Sequence, residues 1–313
     1  MSNFKIWQLV SLLCVMSFLL GCESKEERLQ QTITHTLQDA STAINTLGTA
    51  LDKKQLRNAN LLTEYGKVLA QQKPQLSEIA KIIAQDATSS GTLYQSLLTR
   101  YQSLKSPAPT MSSDDIINQA ILLKEAASIS LFNDALTDPI NVLADMSDGK
   151  LARVGAISQQ AEHITNNGQA AVGNQLVGNA NYGEWQTDSN GTSFWVWYGV
   201  YRMLGDIVGD VEYGRWSKHR RYSYYSDYGR HRYTSYKSYK RQTELVKRTK
   251  QSYQRQGKQF TSPYAKKKAG ASGLSRSSNT PSSVTRSSYS RASSSGSIRN
   301  SSSRTSRGVS RGK

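Results

Sequence analysis

The sequence predicts an all-α protein, in which an elongated helical hairpin forms part of a bundle. A small aromatic module with a short β-hairpin and a disordered basic C-terminal tail are expected after the bundle. Apolar residues repeat at helical spacing through the N-terminal half, and tryptophans cluster beyond it. Residues 1–213 carry 15 Lys+Arg and 21 Asp+Glu, whereas residues 214–313 carry 25 and 2, so net charges of −6 and +23 make up the total of +17.

The first predicted element is a long helix. Apolar side chains alternate at spacings of four and three from Ile33 through Leu51, and the same phase continues through Leu61 to Val68. A heptad held in register over this distance is typical of a coiled-coil-like seam. An unbroken helix from about Ser24 to Gln72 would be roughly 70 Å long at 1.5 Å per residue.

Pro74 is expected to end this helix and to turn the chain back, because proline lacks the amide hydrogen that the helical ladder needs. Apolar residues then resume the heptad from Leu76 to Leu104, and folding back about Pro74 brings Asn58 opposite Ser90. Two interpretations are open. The pair forms a polar layer that fixes the register of the hairpin, or both positions face solvent.

Further helices complete the predicted bundle over residues 22–165. Ser112 followed by Asp114 and Asp115 is typical of a capped helix start, and Asp138 before a proline indicates a second cap. Apolar residues from Leu151 to Ile164 indicate another helical stripe. We therefore expect four or five helices, and no strand, in this region.

Composition predicts a flexible linker over residues 166–181 and an aromatic module over residues 182–213. Asn190-Gly191 between short β-prone runs indicates a hairpin, and a helix with spaced apolar residues is expected from Trp197 to Val211. The tryptophans have two open interpretations, as a buried core or as an exposed platform for the lipid interface or for cell-wall sugars. These residues are Trp185, Trp195, Trp197 and Trp216.

The basic segment over residues 214–268 interleaves tyrosines with cations, a pattern that can bind a polyanion through charge and ring contacts. A solvated tail that only keeps the protein soluble is the alternative. The candidate polyanion-binding residues are Arg220, Arg221, Arg230, Arg232, Lys237, Lys240 and Arg241. Residues 269–313 contain 18 serines in 45 positions and no acid, so we expect disorder there.

The N-terminus carries the pattern of an exported, lipid-modified chain. Residues 1–21 have Lys5 followed by an apolar run that is too short to span a membrane comfortably, and the run ends in Leu19-Leu20-Gly21-Cys22. This ending resembles the lipobox of bacterial lipoproteins. The resemblance implies cleavage before Cys22 and acylation of that residue. An ordinary signal peptide, or an anchor helix with an incidental cysteine, is the alternative.

The lipobox also governs the expected location and partners. Glu23 after the cysteine implies, in a Gram-negative cell, sorting to the outer membrane. The expected partners are membrane lipid through acylated Cys22 and an anionic envelope surface through the tail, with a protein partner as a further option. The anchor argues against nucleic acid, although the basic segment alone would suggest it.

Catalytic motifs are not found in the sequence. The four histidines are dispersed, and the only cysteine besides Cys22 is Cys14 in the leader, so we expect no cofactor or metal. A glycan-cleaving enzyme would have to pair Glu184 with Asp188 or Asp206. The sequence instead predicts a non-enzymatic, lipid-anchored envelope protein that the basic tail tethers to an anionic surface. The alternative is an assembly or binding factor that recognises a protein or glycan through the helical hairpin and the tryptophan module.

Overall fold

The computed structural model describes residues 24–155, 172–219, 222–265 and 273–280. The fold is mostly helical with one small antiparallel sheet, which confirms the predicted fold class. The N-terminal helices are α1 Lys25–Asp52, α2 Arg57–Gln72, α3 Ser77–Ala84, α4 Thr92–Lys105, α5 Ser113–Ala126, α6 Ile129–Ala135 and α7 Thr137–Met146. The later elements are β1 Gly183–Thr187, β2 Ser193–Trp197, α8 Met203–Val208, α9 Tyr213–His219, α10 Arg230–Tyr233, α11 Tyr236–Arg255 and α12 Arg276–Asn279.

The predicted first helix is divided into α1 and α2. Ser24 caps α1 in a reciprocal capping box with Glu27, which satisfies two amides of the first turn. The helix ends at Asp52, where Lys54 adopts a left-handed φ of 55°. The prediction of one unbroken helix is therefore wrong, because the heptad phase continues across a break that apolar periodicity alone does not reveal.

Helices α2 and α3 pack against each other around Pro74, as the sequence predicts. The expected pairing of Asn58 with Ser90 is wrong. Asn58 is buried and exchanges two hydrogen bonds with Asn133, which accepts from the Asn58 backbone N–H at 2.8 Å and from its Nδ2 at 2.7 Å. Ser90 is exposed. The polar contact thus joins α2 to α6 rather than the two arms of the hairpin.

Helices α1, α4 and α5 complete the N-terminal bundle. Ser112 caps α5 by accepting the backbone N–H of Asp115, as predicted. Lys124 Nζ donates to Asp39 at 2.7 Å across an offset of 85 residues. The same offset separates Thr36 from Ile121, which line a common cavity, so α1 and α5 run parallel. The core between these helices is almost entirely aliphatic.

A row of buried polar side chains runs along α6 and α7 at spacings of four, three and four residues. Asp134, Asp138, Asn141 and Asp145 each bind a segment that follows the bundle. Asp138 does not cap α7 as predicted. Its carboxylate accepts from the backbone N–H of Tyr224 at 2.7 Å and of Tyr225 at 3.0 Å. These acids attach the C-terminal half of the chain to the bundle.

Burial raises the pKa of Asp138 to about 7, although the donated N–H groups oppose the shift. A second buried acid, Asp86, accepts the phenol of Tyr182 at 2.8 Å and the backbone N–H of Leu93 at 3.3 Å. Burial raises its pKa to about 6 against those hydrogen bonds. Both acids therefore join distant segments in the interior.

The segment after the bundle differs from prediction. Residues 151–155 are not helical, and the remainder of the expected helix to Ile164 lies outside the described residues. Residues 172–181 form successive turns, in which Leu176 and Val177 are buried in the core. Gln175 Nε2 donates to Asp145 at 2.7 Å. The prediction of a flexible linker is wrong for these ten positions, whose Gly- and Asn-rich composition forms packed turns.

Strands β1 and β2 form the hairpin that the sequence predicts. The register pairs Gly183 with Trp197 and Thr187 with Ser193, and Gly191 in the loop adopts a φ of 81° that favours glycine. The single helix expected from Trp197 is shorter. Trp197 ends β2, and a 3₁₀ turn at Gly199–Arg202 leads into α8.

The basic segment is largely folded rather than a tail. Five of its tyrosines are buried, α10 packs on α5, and Leu245 and Val246 of α11 pack against the core. Residues 273–280 also dock, because Asp134 accepts from the backbone N–H of Ser275 at 2.8 Å and from the hydroxyl of Ser278. The predicted disorder is wrong for these eight positions, and residues 281–313 lie outside the described part. The buried tyrosines are Tyr222, Tyr224, Tyr225, Tyr228 and Tyr233.

Candidate anion-binding surface

Helix α11 presents a cationic face on a fixed element. Ser235 caps it by accepting the backbone N–H of Ser238, and Gln242 and Leu245 lie on its inner side. The helix carries seven basic residues and one acid, Glu244, and all seven cations are exposed. They are Lys237, Lys240, Arg241, Lys247, Arg248, Lys250 and Arg255. This distribution concentrates positive charge on one solvent-facing surface.

Five of the seven polyanion-binding residues predicted from the sequence divide into two groups. Lys237, Lys240 and Arg241 lie on the exposed face of α11, whereas Arg220 and Arg221 lie outside the described residues. The remaining four cations of α11 were missed as site residues, although their spacing from Tyr236 onward is that of an amphipathic helix. The interpretation of residues 214–268 as a basic tail left this helical spacing out of account.

Arg230 is held against the body rather than free. Its guanidinium lies 4.5 Å from the ring centroid of Tyr239 and 3.8 Å from that of Tyr264. Its Nε donates to Gln242 Oε1 at 2.9 Å. Cation–π contacts of this kind stabilise the attachment of α11 to the segment before it.

Arg232 is a structural residue, and its prediction as a polyanion-binding residue is wrong. The side chain is 2% exposed, and its Nε pairs with Glu125 at 2.8 Å. Its Nη2 donates to the backbone carbonyls of Ser277 at 3.3 Å and Thr280 at 3.0 Å. The guanidinium thus joins α5, α10 and the docked segment 273–280, where an external polyanion cannot reach it.

The tryptophans form a core, so the interpretation as an exposed platform is wrong. Trp195, Trp197 and Trp216 are buried, and Trp185 is partly buried among them. The ring centroids of Trp185 and Trp195 lie 5.1 Å apart in an edge-to-face arrangement, and Tyr213 contacts Trp185 in the same way at 4.9 Å. Such pairs are preferred aromatic geometries. They fix the hairpin against α9.

The exposed apolar side chains of the module are different residues. Phe194 is 38% exposed, Tyr198 is 40% exposed and Val200 is 57% exposed. Phe194 alternates with the buried Trp195 and Trp197 along β2, as expected for a strand with one covered face. The outer face of the hairpin, rather than its tryptophan face, is therefore available to a ligand.

A cleft of about 110 Å³ separates the outer edge of β1 from α11. Glu184, Trp185 and Tyr198 line the side of the hairpin. Arg241 and Arg248, two turns apart on α11, line the other. The cleft thus combines aromatic rings with two guanidinium groups at the boundary of the cationic face.

Glu184 accepts two hydrogen bonds beside this cleft, from Arg241 Nη2 and from Gln186 Nε2 at 3.1 Å, and the phenol of Tyr198 lines the same cleft. Partial burial raises the pKa of Glu184, but the hydrogen bonds from Gln186 and Arg241 outweigh it, and the net shift is downward. Burial and the Glu184 carboxylate raise the pKa of Tyr198 to about 12, which keeps its phenol a donor. The three groups together form a carboxylate-binding arrangement.

The acids considered for glycan cleavage have other partners or lie apart. Glu184 pairs with Arg241, and Asp188 accepts the N–H groups of Asn190 at 3.0 Å and Thr192 at 2.8 Å in the hairpin loop. Asp206 is exposed on α8. Within the described ranges, no group of three His, Cys, Asp or Glu side chains is arranged to hold a metal ion. Among these same residues, no helix is long and apolar enough to cross a membrane.

Comparison of the chain with family models, curated proteins and solved structures gives no match.

Proposed function

We propose that this chain is a non-enzymatic, lipid-anchored envelope protein that holds a cationic face against an anionic surface. The observation that carries the proposal is the charge distribution of α11, where seven exposed cations accompany one acid and the inner side packs on the body. Candidate surfaces are lipid A phosphates, phospholipid head groups and the carboxylates of peptidoglycan. Each cation near such a surface can contribute about 1 kcal/mol before saturation and screening.

The position of α11 supports this arrangement. Tyr236 at its start donates to Asp115 at 3.2 Å. Because α1 and α5 run parallel with an offset of 85 residues, Asp115 lies level with Gln30 in the second turn of α1. Cys22, the proposed lipidation site, precedes α1 by three residues. The cationic helix therefore begins close to the end of the body that the anchor would hold.

A fixed cationic helix predicts behaviour different from that of a flexible basic tail. A tail could bind in many conformations and would tolerate scrambling, whereas α11 presents its cations in one arrangement. The Ser/Arg region after Thr280 adds seven further cations without an acid, so it can supplement the binding. Removal of everything after Val211 is unsuitable as a test, since it would also remove Tyr222, Tyr224 and other core residues.

A matched pair of triple variants tests the proposal. Lys237, Lys247 and Lys250 are changed to Gln on α11, and in the control Lys53, Lys81 and Lys150, which are also exposed, are changed to Gln elsewhere on the body. Co-sedimentation of the chain from Glu23 onward is measured with purified sacculi and, separately, with anionic vesicles. We expect the α11 variant to bind on the order of 100-fold more weakly and the control to bind nearly as wild type does.

Each outcome has a defined meaning. Equal losses in both variants would show that only net charge matters, and the proposed role of α11 would be wrong. Binding that neither variant weakens, and that resists salt, would move recognition to the hairpin or the bundle. Sacculi and vesicles are compared at each salt concentration, and the one that still binds the wild type at the higher concentrations identifies the anionic partner.

A further inference from the structure

We propose that the cleft between β1 and α11 is a binding site for a carboxylate-bearing saccharide, and that Glu184 occupies its carboxylate position when no ligand is bound. The inference rests on the proposed function, since it names the ligand class that one part of the cationic surface selects. It concerns a small defined site, whereas the proposed function concerns the whole face of α11.

The first argument is that the donors already hold a carboxylate. Arg241 provides a guanidinium and Gln186 an amide, and both donate to Glu184. Tyr198 lines the same cleft and adds a phenol, so groups from β1, from the residue after β2 and from α11 converge on one site. Charged donors of this kind favour carboxylates through short, charge-assisted hydrogen bonds.

The second argument is that the internal carboxylate can be exchanged. The side chains of Arg241 and Glu184 are 52% and 27% exposed, so water and ligands reach the pair. Ion pairs at such positions contribute little net stability, because solvent screens them and two long side chains lose freedom. A ligand carboxylate can therefore replace Glu184 on Arg241 at small cost, while Glu184 turns toward solvent.

The third argument concerns the rest of the ligand. Tyr198 and Arg248 line the cleft and are both exposed, so the cleft is open to solvent on this side. A ligand whose carboxylate arm binds Arg241 can place its sugar ring against the exposed face of Tyr198. Arg248 is 71% exposed and lies 3.6 Å from Glu244, so it offers a second cation beside that ring.

Trp185 lines the wall of the cleft. Its indole therefore provides a fluorescent reporter inside the proposed site.

The test titrates the full chain in detergent with N-acetylmuramic acid, which joins a carboxylate arm to an amino sugar. N-acetylglucosamine has the same ring without that arm, and lactate has the carboxylate without the ring. Binding is followed by tryptophan fluorescence and by calorimetry at constant ionic strength. We expect N-acetylmuramic acid to bind more tightly than either comparator.

Two Glu→Gln variants, which change the charge but hardly the shape, separate replacement of the Glu184 carboxylate by ligand from a general effect of net charge. Glu184→Gln removes the internal competitor, and we expect about fivefold tighter binding of N-acetylmuramic acid. Glu212→Gln, at an exposed glutamate outside the cleft, makes the same change of charge and serves as the control. Arg241→Gln should weaken binding by at least about tenfold, while near-ultraviolet circular dichroism of the variant stays that of the wild type.

The inference is overturned if the two sugars bind equally, or if Glu184→Gln and Glu212→Gln have equal effects. Absence of sugar binding by the wild type would overturn it as well. In each of these cases the proposed function would still stand if the α11 lysine variant co-sediments more weakly than the wild type. Loss of that difference would overturn the proposed function independently.

Discussion

The N-terminal bundle and the C-terminal region are stabilised in different ways. In α1 to α5 the fully buried side chains are aliphatic, such as Ile44, Leu47 and Leu62. In the region after Tyr213 they include Arg232, Tyr224 and Tyr225. The Arg232 side chain pairs with Glu125, and the backbone N–H groups of both tyrosines donate to Asp138. The first region is held by aliphatic area, and the second combines buried aromatic rings with a set of paired polar groups.

This difference explains how a strongly basic sequence can be ordered. Apolar contacts tolerate many arrangements, but buried donors and acceptors are stable only when each finds its partner. Asp134 and Asp138 provide such partners from α6 and α7. The C-terminal region therefore depends on a few specific contacts, whereas the bundle depends on many similar ones.

The largest expected effect is from Arg232→Ala. This change leaves Glu125 without its cation and removes the Nη2 donor from the carbonyls of Ser277 and Thr280. We expect the free energy of unfolding to fall by about 3–5 kcal/mol, as for other broken buried ion pairs. Urea denaturation followed by circular dichroism measures the loss.

A matched change in the bundle sharpens the comparison. Leu62→Ala removes a fully buried aliphatic side chain and should cost about 2–5 kcal/mol. Hydrogen exchange should quicken mainly in the C-terminal region for Arg232→Ala and mainly in α2 and its neighbours for Leu62→Ala. Identical exchange patterns in the two variants would contradict the division into two regions.

A smaller effect is expected at Asn58. Asn58→Ala removes the Nδ2 donor to the backbone carbonyl of Asn133 and keeps the backbone N–H that donates to Asn133 Oδ1, and we expect a loss of about 1–3 kcal/mol. Ser90→Ala, at the position that the sequence paired with Asn58, should change stability by less than about 0.5 kcal/mol. Thermal unfolding of both variants measures the difference, and equal losses would restore the predicted pairing.

A different kind of effect, a change in the pH dependence of stability, is expected at Asp138. Folding raises its pKa from about 3.9 to about 7, so the folded chain holds the proton more tightly. The stability from this group is complete below about pH 4 and is lost as the pH rises through about 7, by at most about 1.4 kcal/mol per pH unit. Asp138→Asn cannot titrate, so the wild type should lose stability relative to it across this range. Parallel curves of unfolding free energy against pH would contradict the assignment.

The sequence predicted those parts that follow a repeating pattern. The α2–α3 hairpin at Pro74, the cap at Ser112 and the β-hairpin at Asn190-Gly191 all follow local rules of periodicity and backbone geometry. The break at Lys54 was missed because the apolar phase persists across it. Local patterns therefore gave the elements of the bundle more reliably than their ends.

The tertiary attachments were missed for a different reason. The spacing of Asp134, Asp138, Asn141 and Asp145 inside an apolar helical run was a signal of one polar face, but nothing in the sequence names its partners. The tyrosines between Tyr222 and Tyr233 were interpreted as part of a polyanion-binding tail because their charged neighbours dominate the composition. Only the tertiary contacts separate the structural Arg232 from the exposed Arg241.

The central claim is that the basic region is an ordered part of the body, and that α11 consequently presents its cations in one arrangement. Hydrogen–deuterium exchange of the full chain tests it most directly. We expect the amides of residues 222–253 to exchange slowly, on a timescale comparable to that of α1 to α5. Complete exchange from residue 214 onward at the earliest time point would contradict the claim and would return this region to a flexible basic tail.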